Sequence, residues 1–302
     1  MTAFLRRSAL AAGLLAAALA LPASAQTLDL SKPQDVLKAQ RKIQCSLSDG
    51  KPITYWWEGR VYSRVPGEKD RLLWTYVGTN TRACYTVNDP QRGTGYRMTS
   101  KEVLLYLDPE TGEIARRWKN PWTGKEVEVL HVANDPVNSG PSFATGRDGK
   151  PATLGGYEKD GWTFLSLEVP LFYNNPLGGD YQKYVGNDYQ AMEMFNFMMP
   201  TAELLDASDT VPDLLVTWGR SAQWLPWMEM GSRSGLMIFH GAGKKIASWD
   251  DLPEILKAEM KKNYPGFETP PPADDKRPNE TSWTYFKKII DAKPKAPAAA
   301  KE

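Results

Sequence analysis

The only two imidazoles in this 302-residue chain belong to His131 and His240, and each ends an alternating apolar run. His131 is in phase with Val127 and Val129, and His240 with Leu236 and Ile238. At a side-chain period of two, both rings are expected to project from an apolar strand face. Such a ring is either a core histidine bonded to a backbone carbonyl or a proton-transfer group at the mouth of a barrel. Asp135 follows closely and can either charge and orient His131 or serve an Asx turn before Pro136. Glu193 is in phase with Phe195, Phe197 and Met199, whereas Asn196 is in phase with Met192, Met194 and Met198. One of the two must face an apolar environment, where a carboxylate either pairs or has its pKa raised. Arg220, in phase with Leu214, Val216 and Trp218, is the matching cation, for a structural ion pair or for a pair that grips a ligand. The candidate acid-base residues are therefore His131, Asp135 and Glu193.

A ligand site is suggested by other residues. Eleven tryptophans and 13 tyrosines are many for this length. They gather around Tyr55 to Trp57, Trp118 to Trp122 and Trp218 to Trp227, and aromatic walls suit a planar or apolar molecule, although a large barrel core also consumes aromatics. The loop-like stretch Ala133 to Gly161 is rich in Asn, Asp, Gly and Pro and is longer than a plain connection needs. Trp57, Asn134, Asn138, Trp218, Arg220 and His240 are the candidate ligand-binding residues. Other chemistries are disfavoured. Gly241-Ala-Gly243-Lys244-Lys245 has Ile238 where a phosphate loop has its first glycine, and no Ser or Thr follows the lysine. No Gly-x-Ser-x-Gly elbow occurs. A closed zinc site is not expected from two histidines and two cysteines, a two-histidine, one-carboxylate site stays open, and no cofactor is implied.

The elements that must position these residues begin after an export signal. Met1 to Ala25 has Arg6 and Arg7, an apolar run from Ala9 to Leu21, and the ending Ala23-Ser24-Ala25. This is the pattern of a cleaved secretory signal, too short in its apolar part to span a bilayer, and it implies a periplasmic or secreted chain with no membrane span once cut after Ala25. The paired arginines also permit twin-arginine export, though Ser8-Ala9-Leu10 is a poor version of that signal. Removing the signal leaves 35 basic and 36 acidic side chains, a formal charge of -1. With basic residues interleaved among acids, no nucleic-acid partner is expected. Cys45 and Cys84 are the only thiols, and an oxidising compartment makes a disulfide between them the default.

Ser31-Lys32-Pro33-Gln34 reads as a helix start with Ser31 as cap, the helix ending near Ile43. From Ile53 the period changes to two, and strands are expected at Ile53 to Tyr62 and Leu72 to Val77 either side of the turn Pro66 to Asp70. Glu102 to Leu107, Glu113 to Lys119 and Lys125 to Val132, separated by the similar turns Asp108 to Gly112 and Asn120 to Gly124, predict a meander of equal strands. Further strands are expected at Trp162 to Val169, Ala191 to Met199, Leu214 to Arg220 and Leu236 to His240. So many strands with little helix between them predict a mainly all-β fold: a large antiparallel barrel or strongly curved sheet, calycin-like in general architecture, with a short N-terminal helix and one C-terminal helix (Asp251 to Asn263). The expected organisation is a signal at 1–25, a single barrel-like domain at 26–268, and a Pro, Ala and Lys-rich tail at 269–302 in which Ser282 to Phe286 docks on the body.

Four blocks carry a resemblance: Trp56-Trp-Glu-Gly-Arg-Val-Tyr62, Leu107-Asp-Pro-Glu-Thr-Gly-Glu113, Trp118-Lys-Asn-Pro-Trp-Thr-Gly124 and His131-Val-Ala-Asn-Asp-Pro-Val-Asn138. Together the region from about Gln34 to Tyr264 resembles the bacterial and fungal family called domain of unknown function 1838. The resemblance implies a family whose members are often exported. It implies no activity and carries over no catalytic residue. The reading that results is an exported barrel that binds a small apolar or aromatic molecule. The alternative is a lyase, isomerase or hydrolase acting on such a molecule in the same cavity.

Overall fold

The computed structural model describes residues 26–174, 177 and 188–293, so the expected signal peptide lies outside the described residues. Helix α1 (Pro33–Gln44) precedes three long strands, β1 (Ile53–Arg64), β2 (Arg71–Asp89) and β3 (Gly93–Leu107). Short strands follow: β4 (Arg117–Lys119), β5 (Glu126–Glu128), β6 (Val132–Asn134), β7 (Ser142–Phe143) and β8 (Tyr157–Lys159). A second run of long strands comprises β9 (Trp162–Asn174), β10 (Asp188–Pro200), β11 (Leu215–Ala222) and β12 (Leu236–Ile246), with the short helix α2 (Thr201–Leu205) after β10. Helices α3 (Glu254–Asn263) and α4 (Ser282–Ala292) end the described chain.

The main sheet is antiparallel, in the order β6-β3-β2-β1-β12-β11-β10-β9-β8, with β7 also on β3. It consists of two sequential meanders, β1 to β3 and β9 to β12, zipped together where β1 pairs with β12. Consecutive strands pair because closing the shorter loop between chain neighbours costs the least entropy. The equal-stranded meander expected over 102–132 is not formed. Beyond Leu107 only an isolated bridge to Ile114 continues the sheet, and β4 and β5 make a separate two-stranded ribbon. The two similar turns are real: Asp108 accepts from the backbone N–H groups of Glu110 and Thr111, Asn120 from those of Trp122 and Thr123.

Alternation divides the sheet into two faces. Val77, Val103, Leu105 and Ile246 pack outward under Leu252, Leu256 and Met260 from α3 and the turn before it. The opposite face, carrying Val61, Trp74, Tyr76, Leu104, Tyr106, Trp218 and Phe239, is the main core. That face is concave. Glu102 of β3 and Arg220 of β11 are separated by β2, β1 and β12, about 19 Å in a flat sheet. Yet α4 packs on β6 while its Trp283 meets Tyr189 of β10, so the sheet curls until one helix reaches both. The barrel expected from the strand count is not closed by strand pairing among the described residues, because β6 and β8 are the two ends of the strand path.

Helices stop the ends of the curl instead. Ala39 and Ile43 of α1 pack on Tyr55 and Val216 of the concave face. At the other end Trp283 and Phe286 of α4 are buried in the main core, and Trp283 meets the Tyr189 ring edge-on at 4.7 Å. The stretch 270–278, read from sequence as a linker, is fixed to the outside of the sheet: Thr99 Oγ1 donates to the Pro271 carbonyl at 2.6 Å, and Arg97 donates to the carbonyls of Ala273 and Asp275. Ser31 does not cap α1. Lys32 holds that position without a side-chain bond, and Ser31 donates to Asp29. A disulfide joins Cys45, at the end of α1, to Cys84 of β2. Among the described residues, no helix is long and apolar enough to cross a membrane.

Candidate functional site

The floor of the concave face is unusually low. Gly59 and Gly78 on β1 and β2, with Gly241 and Gly243 on β12, place hydrogen where the neighbouring positions carry side chains. A Cβ at Gly78 would stand 2.8 Å from the Trp57 ring, so glycine there lets the indole lie across the strands. Trp57 meets Trp218 at 6.3 Å, and Trp218 meets Tyr76 at 5.8 Å and Phe239 at 5.5 Å. Phe195 and Leu167 share this face and keep exposed surface on the β9 side.

Beside this aromatic floor stands a polar cluster. Asn80 and Arg82 of β2 are in register with Glu102 and Ser100 of β3, and Glu102 is in register with Asn134 of β6. The Asn134 side chain donates to Glu102 at 2.6 Å. Arg82 donates from Nε to Asn80 at 2.8 Å and lays its guanidinium 4.5 Å from the Tyr55 ring centre. Across the curl Arg220 donates to Glu193 at 2.9 Å and to the Tyr189 hydroxyl. Burial pushes the Glu102 carboxyl above the usual range; the Glu193 charge adds to this, while Asn134, Arg220 and Arg82 oppose it. Burial likewise lowers Arg82, partly offset by Tyr55 and Glu102. For Arg220 burial is outweighed by Tyr189, Glu193, Tyr106 and Glu102, which hold it above the ordinary value.

Glu102, Arg82 and Arg220 project from the concave face and are half-buried there. Four polar atoms of this face are buried with no hydrogen-bond partner: Trp57 Nε1, Tyr76 Oη, Asn134 Oδ1 and Arg220 Nε. Native cores rarely leave such atoms unmatched without an occupant, water or a ligand, to meet them.

The residues expected from sequence distribute unevenly over this site. Trp57, Asn134, Glu193, Trp218 and Arg220 belong to it. Glu193, not Asn196, is the concave residue; Asn196 faces outward to Ser166 and Thr217. His131 lies between β5 and β6 rather than closing a strand, is 5% exposed, and accepts the Tyr106 backbone N–H on Nδ1 at 3.1 Å. It thereby satisfies an edge donor of β3 that no strand reaches. Burial depresses its pKa to about 4, with Arg116 adding to the effect and Glu259 opposing it. Asp135 does not charge His131. It pairs with Arg277 at 2.7 Å and with Lys101 at 3.4 Å. Asn138 is a loop anchor: its side chain accepts from the Ser100 backbone N–H and donates to Asp275. His240 is exposed and points to the convex side, because Met237 and Phe239 are the inward members of β12. The two histidines therefore do not meet, and no group of three His, Cys, Asp or Glu that could hold a metal occurs among the described residues.

A family model described as "Protein of unknown function (DUF1838)" matches residues 50–290. The chain belongs to this family. No curated protein matches it. The matched stretch of this DUF1838 protein contains every strand and all but the last two residues of α4, and so includes every residue of the concave face named above.

Sequence reasoning missed Arg82 and Glu102 of the DUF1838 site. Glu102 is in phase with Leu104 and Tyr106, the same signal that singled out Glu193. Arg82 was hidden because the second strand was expected to stop at Val77, whereas β2 runs to Asp89 and carries Trp74, Tyr76, Gly78, Asn80 and Arg82 on one face.

Proposed function

We propose that this is an exported protein that binds a small molecule with an apolar or aromatic body inside the curled sheet, for carriage or sequestration. The observation that carries the reading is the set of buried polar atoms without partners around the aromatic floor. A face built only for packing would match them. The ligand body lies on Trp57 and Trp218, and its polar end meets Arg82, Glu102 and Asn134. Protein purified from its own source and examined by native mass spectrometry and solvent extraction should retain a small molecule. Trp57→Ala should release it. Retention unchanged in Trp57→Ala overturns this placement.

A second reading is favoured by one observation, the raised pKa of Glu102 beside the Asn134 amide. A carboxyl whose protonated form is favoured by burial is suited to acid-base catalysis on the bound molecule. In that case Glu102→Gln lowers turnover about 100-fold or more while affinity persists. An extracted molecule returned chemically unchanged by the wild type removes the enzyme reading for that ligand.

A further inference from the structure

We infer that the ligand carries a carboxylate, or an equivalent planar oxyanion, that docks on Arg82; this rests on the binding reading above. Arg82 projects from the concave face of β2, with its ring neighbour Tyr55 two residues from Trp57 on the same face of β1. Its Nε is used by Asn80, and the Tyr55 ring supports the guanidinium plane. Among the described residues, the remaining fork, the two Nη groups, makes no hydrogen bond, and no carboxylate lies within ion-pair distance of Arg82. Every other cation on this face is matched. Arg220 has Glu193 and Tyr189, and Lys245 donates to the carbonyls of Lys42 and Cys45.

Glu102, the nearest acid to act on Arg82, is held by Asn134 instead of reaching it. Burial also favours the neutral form of its carboxyl, which weakens its repulsion of an anion. A planar cation with a prepositioned, unpaired fork on a concave face is suited to bidentate capture of a carboxylate. Two residues of β1 span about 7 Å, so the Trp57 indole and the Arg82 fork are spaced for an aromatic acid rather than for a free inorganic anion.

The test uses matched probes, 2-naphthoate and 2-naphthamide, titrated calorimetrically into the full mature chain. Wild type should bind the acid at least about 10-fold more tightly than the amide. Arg82→Gln should abolish that preference, the acid losing about 10-fold more affinity than the amide. Equal affinities in the wild type, or a preference that survives Arg82→Gln, overturns the carboxylate assignment alone and leaves the binding reading standing. Failure of both probes to bind at millimolar concentration overturns the assignment and the aromatic-ligand reading together. If Arg82→Gln loses its cooperative thermal transition, Arg82→Lys decides: keeping the charge without the fork should reduce the preference at least about threefold, and an unchanged preference overturns the assignment.

Discussion

The end of the curl beneath α1 and the centre of its concave face both bury charge, but they treat it in opposite ways. Under α1 each buried group is fully engaged. Lys42 donates to the carbonyls of Asp206 and Ser208, Lys245 to those of Lys42 and Cys45, and the Tyr55 hydroxyl to that of Ile43. The last turn of the helix is thus closed by the Lys245 ammonium and the Tyr55 hydroxyl reaching up from the sheet, where its free carbonyls and dipole favour them. Next to it on the concave face, Arg82 stacks on that same Tyr55 yet has an open fork among the described residues, and Trp57, Tyr76, Asn134 and Arg220 each leave an atom unmatched. A satisfied buried charge is a structural fastening. An unsatisfied one on a concave face is an offer to something not made of this chain.

That contrast can be broken by mutation. The disulfide spans 39 residues of sequence and ties α1 to β2, so replacing both Cys45 and Cys84 by serine should cost about 4 kcal/mol in chemical denaturation. Lys245→Met removes the donor to two buried carbonyls and should cost about 3 kcal/mol. A change below about 0.5 kcal/mol would show that water replaces the ammonium and that this end is as open as the centre.

His131 sharpens the comparison, since it is buried with one nitrogen engaged and the other unmatched. Its pKa falls from 6.5 to about 4 on folding. As pH drops the unfolded chain takes up this proton first, so the stabilisation is complete above pH 6.5 and is lost as pH falls toward 4, by about 2 to 3 kcal/mol. Denaturation of His131→Phe over this range should show a correspondingly flatter pH profile. An unaltered profile would mean that His131 is not the residue whose protonation destabilises the fold.

The smallest effect is expected at the centre. Arg82→Met should change stability by no more than about 1 kcal/mol, because the charge it removes has no ion-pair partner to strand. A loss near 3 kcal/mol would place Arg82 with the fastenings of α1 and remove the reason to assign it to a ligand.

Much of the scaffold was legible in the chain. Runs such as Ile53 to Tyr62 and Ala191 to Met199 could only be strands, the glycines ending the two turns at Gly112 and Gly124 adopt the positive φ that such turns need, and two cysteines admit a single disulfide. Period two also identified Glu193 and Arg220 as polar members of apolar faces, and they pair directly across β10 and β11. Such features are local: they depend on the types and spacing of residues within one strand or turn. The pairing of β1 with β12, the curl that lets one helix reach both β6 and β10, and the helix α4 that covers the far end join residues remote in sequence. His131 shows the limit most clearly. Its spacing from Val127 and Val129 placed it on an apolar face, but whether its ring would meet a ligand or an unpaired N–H of β3 depended on where that strand's partner stopped, and only the folded sheet fixes that.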